Sequence, residues 1–165
     1  MLQQTRVEAV RGYFSRWMNA LPDIPALAAA DEAVYTKLWE GLGYYSRVRN
    51  LHRAAVLLCE EYGGELPADY DRLLALPGVG EYTAGAVASI AFGLPVPAVD
   101  GNVLRVAARL DNDFTPITDA KFKKQTRERF AALMPSDRPG DLNQSLMELG
   151  ATVCLPNGAP RCDDC

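Results

Sequence analysis

Apolar positions recur at helical spacing through almost the whole chain, and no stretch alternates convincingly enough to predict a strand. Val7, Val10, Phe14, Trp17 and Met18 fall at three- and four-residue steps and predict one amphipathic helix. Leu21-Pro22-Asp23-Ile24-Pro25 breaks it. A second helix is predicted from near Asp31, with Val34, Tyr35, Leu38, Trp39 and Leu42 turned inward. A third covers 44–62, with Val48, Leu51, Ala55 and Leu58 on one side, and stops at Gly63-Gly64. Shorter apolar patterns predict helices over 71–76, 81–92, 101–110, 120–133 and 141–151. Ala84, Gly85, Ala86 and Ala88 leave little bulk on the helix at 81–92, which permits close packing against a neighbour. The pattern predicts an all-α fold without repeats or low-complexity segments.

Length and composition narrow this picture. At 165 residues the chain can make one or two compact units with a real core. It is 48% hydrophobic, yet no apolar run approaches the roughly 20 residues of a membrane span. Arg6, Glu8 and Arg11 interrupt any leader-like stretch at the start. A cytoplasmic protein with no membrane partner is expected. The formal net charge of −4 alone argues against nucleic acid. Charge distribution matters more than the sum, and Arg47, Arg49, His52 and Arg53 form a local basic cluster beside two tyrosines.

Two short motifs carry the chemistry. Leu76-Pro77-Gly78-Val79-Gly80 is a tight turn between two helical stretches, and its glycines can bring bare backbone N–H groups against a ligand. N–H groups converging at a helix start make an anion site, suited to a phosphate. About one helix-length on, Val99-Asp100-Gly101-Asn102-Val103 places a lone carboxylate where a helix should begin. A helix cap is the plainest role for Asp100, and it is compatible with catalysis. A phosphate clamp with a pocket carboxylate points to chemistry on DNA.

Cys154, Cys162 and Cys165 crowd the C-terminal end in a segment rich in proline and glycine, whereas Cys59 lies in a helical pattern as a small apolar residue. Three clustered thiols suggest metal rather than a disulfide. Soft sulfur ligands suit zinc or an iron–sulfur cluster, either of which wants four, and spacing alone leaves both open.

Residues 76–103 resemble the helix-hairpin-helix DNA glycosylases. Met1-Leu2-Gln3-Gln4-Thr5, Gly41-Leu42-Gly43-Tyr44-Tyr45-Ser46-Arg47 and Val99-Asp100-Gly101-Asn102-Val103 are similar, more narrowly, to the adenine DNA glycosylase (MutY) family. The resemblance runs from the first residue to the last. It implies a two-lobed fold, with 21–110 as a six-helix lobe holding the hairpin. Residues 1–20 and 111–165 would form the other lobe, with a C-terminal iron–sulfur cluster loop. The implied partner is double-stranded DNA with an adenine:8-oxoguanine or adenine:guanine mispair, met by a monomer on a bacterial nucleoid.

By the same resemblance Gln3, Gln4, Thr5, Leu42, Tyr44 and Arg47 are DNA-binding residues. Gln4 and Tyr44 would wedge into the base stack, while Thr5 and Leu42 would contact 8-oxoguanine. Gly78, Val79 and Gly80 grip the strand. Asp100 is the catalytic carboxylate, with Tyr82 against it and Asn102 orienting groups beside it. A lysine at position 82 marks the endonuclease III-like enzymes and forms a Schiff base, which a phenol cannot do. Cys154, Cys162 and Cys165 become ligands of a [4Fe–4S] cluster, although seven residues separate the first two, one more than usual in the family. The resemblance also expects a general-acid glutamate upstream of Met1, a fourth cysteine past Cys165 and a further 8-oxoguanine-recognising domain. The expectation is therefore an incomplete catalytic core. The competing readings are a noncatalytic DNA-binding module and an endonuclease III-like bifunctional glycosylase.

Overall fold

The computed structural model describes residues 1, 5 and 7–165, so Gln3 and Gln4 lie outside the described residues. Those residues form α-helices and one 3-10 turn, with no strand among them. In chain order the helices are α1 (Val7–Ala20), α2 (Ile24–Ala28), α3 (Glu32–Trp39), α4 (Ser46–Tyr62) and α5 (Tyr70–Leu74). They continue as α6 (Glu81–Phe92), α7 (Gly101–Leu110), α8 (Ala120–Leu133) and α9 (Pro139–Thr152). The 3-10 turn covers Cys162–Asp164.

Local chemistry sets most of the boundaries. Asp23 and Asp119 each cap a helix by accepting the backbone N–H three residues on, at 2.8 Å. Gly63 and Gly93 end α4 and α6 in the left-handed conformation that stops a helix cleanly. The periodicity did not predict α2. Its signal was the Asp23 cap with Pro25 in the first turn, a start signal inside what reads as a break.

The chain divides into two compact units: Met1–Pro67 with Ala75–Gly78, and Ala68–Leu74 with Val79–Cys165. These boundaries differ from those of the expected lobes, 1–20 with 111–165 and 21–110. In the first unit α2 packs on α4, and α3 packs on both α1 and α4. Its core gathers Val10, Trp17, Leu21, Leu27, Tyr35, Trp39, Leu42, Val48 and Ala55, and Trp17 meets Trp39 edge to face with centroids 5.8 Å apart. Two positions expected inward are not: Val34 is 45% and Leu51 43% exposed. Each lies on its helix beside residues that do pack, so the apolar stripe is wider than the surface its partners cover. Phe14 and Met18 are exposed for the same reason. Cys59 is half-buried.

In the second unit α6 packs on α5 and α9, and α7 packs on α9 and α8. The small residues of α6 permit this approach, since a Cβ on Gly85 would lie 2.3 Å from the carbonyl oxygen of Pro97. That carbonyl belongs to the extended segment joining α6 to α7. Asn143 of α9, 1% exposed, holds the segment in place. Its Oδ1 accepts the Ala98 N–H at 2.9 Å, while its Nδ2 donates to Val96 O at 2.9 Å and Ser89 Oγ at 2.8 Å. Replacing it leaves buried backbone groups without partners. Asn143→Leu should therefore lower unfolding free energy by about 3 kcal/mol, the cost of several lost buried hydrogen bonds, as read from chemical denaturation. A loss under about 1 kcal/mol would mean that water or a shifted segment satisfies these groups instead.

Candidate active site

The segment that Asn143 holds runs into Asp100, which starts α7. Asp100 Oδ1 accepts the Val103 N–H at 2.9 Å, the capping role read from the sequence. Its Oδ2 accepts from Asn102 Nδ2, also at 2.9 Å. Both oxygens are thereby oriented by donors from the first turn of their own helix.

The donor is itself held. Arg105, one turn along α7, donates through Nη2 to Asn102 Oδ1 at 2.9 Å and to Gly150 O at 2.5 Å. Its Nε donates to Cys154 O at 2.9 Å. A continuous hydrogen-bonded chain thus links the carboxylate to the end of α9 and the segment after it. Gly150 lets α9 come this close, because a Cβ there would sit 2.5 Å from Asn102 Cβ.

A cavity of about 470 Å³ opens beside Asp100, within the usual size range of small-molecule sites. Tyr82 and Glu81 enter it from the start of α6, Lys123 and Arg127 from α8, and Ile117 and Thr118 from the loop before α8. Tyr82 reaches the cavity as expected, but its hydroxyl donates to Met147 Sδ at 3.3 Å and makes no recorded bond to Asp100. Burial, and then the charge of Asp100, push the Tyr82 phenol above its ordinary range. It stays a neutral donor at any ordinary pH. Glu81 takes both arms of the Arg127 guanidinium.

The glycine turn divides its work. Gly78 has φ of +78°, and a Cβ there would meet Asn50 Cβ at 2.7 Å, so the turn itself demands glycine. Gly80 is extended, with nothing within 4 Å of where a Cβ would point, and it starts α6 without a side-chain cap. The space where a Gly80 side chain would point is open, so the fold itself does not require glycine there. Val79 between them is half-buried.

The first unit carries the other expected DNA contacts. Tyr44 is 69% exposed, whereas the Leu42 side chain is part of the core. Thr5 is half-buried at the start of the chain. The basic cluster is largely committed within the protein: Arg49 pairs with Glu32 at 2.9 Å, and the ring of His52 stacks on Tyr35. Arg47 donates to backbone carbonyls around Tyr44. Sequence reasoning counted charges there without their partners.

Cys154, Cys162 and Cys165 line one smaller cavity of about 190 Å³ with Arg109, which donates to Cys154 Sγ at 3.2 Å and Leu155 O at 2.8 Å. All three are free thiols. Among the described residues no group of three or more His, Cys, Asp or Glu side chains is gathered as a metal site. The donor chemistry suits iron–sulfur, but these residues do not by themselves complete the four-sulfur set such a cluster takes.

Sequence reasoning missed Asn143 and Arg105. Both are polar residues with partners 45 or more residues away, and no local pattern announces those.

A family model described as "HhH-GPD superfamily base excision DNA repair protein" matches residues 1–134. Adenine DNA glycosylases of Mus musculus and Homo sapiens are each 46% identical over 166 aligned positions, which take in all of this chain. That of Mycolicibacterium smegmatis is 43% identical, again across all of it. The chain spans 32%, 30% and 55% of those three relatives' lengths. Similar relatives come from both bacteria and eukaryotes. No helix among the described residues is long and apolar enough to cross a membrane. Among solved structures, a thermostable thymine-DNA glycosylase superposes with a TM-score of 0.87 at 26% identity, covering 99% of this chain and 75% of that one. A trapped endonuclease III–DNA covalent intermediate gives 0.85 at 27%, with the same coverage. The chain belongs to the HhH-GPD superfamily of base excision DNA repair proteins.

Proposed function

We propose that the chain is the core of an adenine DNA glycosylase that hydrolyses the N-glycosidic bond of adenine paired with 8-oxoguanine or guanine. The observation that carries this reading is Asp100, a carboxylate with both oxygens oriented and an open cavity beside it. The adenine must first be extruded, at a cost of a few kcal/mol. Tyr44 would enter the gap it leaves, with Gln3, Gln4, Thr5 and Leu42 near the lesion. Gly78, Val79 and Gly80 would hold the phosphate backbone through N–H groups of α6. Breaking the bond puts positive charge on the sugar, as in glycoside hydrolysis. Asp100 would stabilise that charge from a carboxylate already fixed in place, with little left to reorganise.

Tyr82 supports a monofunctional enzyme, because a phenol forms no imine with the sugar. Glu81 is tied to Arg127, which keeps it from serving as proton donor to the base. Cys154, Cys162 and Cys165 would be cluster ligands, supported by the one cavity they share; no step of the reaction passes through the cluster. Action as a monomer on a bacterial nucleoid belongs to the same proposal.

The test is single-turnover release of adenine from an adenine:8-oxoguanine duplex. It is run with this chain and with the chain lengthened at both ends by the flanking segments of the mycobacterial relative. The lengthened protein should release free adenine without a borohydride-trapped adduct, at least roughly 10²-fold faster than the shorter one. A trapped adduct favours the endonuclease III-like reading. Tight duplex binding by both with release by neither favours the binding module.

Two substitutions locate the chemistry. Asp100→Asn in the lengthened protein should cut release by roughly 10²–10³-fold. It should lower the melting temperature by only a few degrees, because asparagine keeps the helix cap and loses one hydrogen bond, the one from Asn102. Gly80→Ala should weaken binding to matched and lesion duplexes alike, since phosphate contacts position without reading sequence. A loss confined to the lesion duplex would remove the clamp from this reading.

A further inference from the structure

Between α3 and α4 the backbone takes positive φ three times in four residues: Gly41 at +96°, Gly43 at +68° and Tyr44 at +48°. The glycines do so freely, but tyrosine does not, and left-handed tyrosine persists only where its surroundings hold it. The holding groups are on the page. Arg47 Nη2 donates to Leu42 O at 3.1 Å and Gly43 O at 3.3 Å, and its Nη1 donates to Met1 O at 3.1 Å. Trp39 Nε1 donates to the same Gly43 carbonyl at 3.0 Å. The Arg47 guanidinium also lies over two rings, 5.1 Å from the Trp39 centroid and 5.6 Å from that of Tyr44. It therefore grips both the backbone before Tyr44 and the Tyr44 ring itself. The result is a large ring, mostly exposed, on a backbone that would otherwise relax.

We propose that Arg47 is a positioning residue for Tyr44, holding the 41–44 loop in the left-handed form that presents the ring to a duplex. It is not itself a phosphate contact. This rests on the reading of Tyr44 as a wedge that enters the base stack. The arrangement fits that task, because a ring entering a stack must be aimed before contact, and a preorganised side chain loses less entropy on insertion. A flat guanidinium suits this better than an ammonium, for it can bond two carbonyls in its plane while stacking through its face.

The experiment follows duplexes that carry 2-aminopurine beside an adenine:8-oxoguanine pair, whose fluorescence rises when neighbouring bases unstack. The full chain should give a rise that Tyr44→Ala abolishes. Arg47→Gln and Arg47→Lys should each lower the unstacking equilibrium roughly tenfold, the ratio set by losing one held left-handed residue. The dependence of duplex affinity on salt should stay that of the parent in both. If Arg47→Gln instead lowers the salt slope by about one and Arg47→Lys restores both slope and fluorescence, Arg47 is a phosphate contact and the proposal falls. Should Arg47→Gln lose its cooperative melting transition, Arg47→Lys decides alone, and a parental rise in fluorescence overturns the proposal. No rise with the unsubstituted chain overturns the wedge reading, and with it the part assigned to Arg47.

Discussion

The second unit depends on one buried amide. Asn143 brings its oxygen to the Ala98 N–H and its nitrogen to Ser89 and Val96, so a single side chain of α9 ties α6 to the segment entering α7. An extended segment has no helical ladder for its own N–H and C=O groups, and burying it requires partners from elsewhere. Asn143 supplies them two residues before Asp100. The cap at Asp100 then turns a held segment into a helix start, and the carboxylate inherits its position from both. Without the amide, the cap would still form, but in a segment whose buried N–H and C=O groups had lost their partners.

From that point the chemistry is organised by alternation of donors and acceptors along α7. Asp100 accepts, Asn102 donates to it and accepts in turn, and Arg105 donates onward to Asn102, Gly150 and Cys154. Each polar group in the chain has a partner of opposite role, the condition under which a partly buried network is rigid rather than costly. The same chain reaches the backbone of Cys154, so any rearrangement around that residue is felt at the carboxylate through three side chains. The cysteine segment is therefore structurally continuous with the candidate site at Asp100.

The sequence made the local features legible and the distant ones illegible, for a physical reason. Helix starts at Asp100 and Asp119 and stops at Gly63 and Gly93 are written in residues that act within one turn of themselves. The all-helical class, the glycine turn and the Asp100 cap followed from such signals. The helix α2 was legible too, in Asp23 and Pro25, but a proline pair reads as a break unless the cap is noticed. Periodicity shows which face is apolar and not what covers it, which is why Val34 and Leu51 proved exposed. Asn143 and Arg105 have partners that only the folded chain brings near, whereas Arg47 bonds mostly within a few residues of itself, in a loop with no periodic pattern to announce it. A count of basic residues could not show that Arg49 and His52 were already engaged.

The proposed action on DNA sets this acidic chain an electrostatic problem, and the start of α6 offers a backbone answer to it. A phosphate is attracted by lysines and arginines spread over a face, but here several cations are bound to carboxylates, rings or carbonyls. Arg49 serves Glu32, Arg127 serves Glu81, and Arg129 serves Asp111. The start of α6 behind Gly80 has no side-chain cap, and a helix start carries partial positive charge from its oriented N–H groups. Such a site is small, directional and blind to sequence. It releases few counterions when occupied, so affinity gained there depends less on salt than affinity gained from a cationic patch. Contact through oriented dipoles would leave guanidinium groups available for internal work, such as the bonds of Arg47 to the loop before Tyr44 in one unit and of Arg105 to Asn102 in the other.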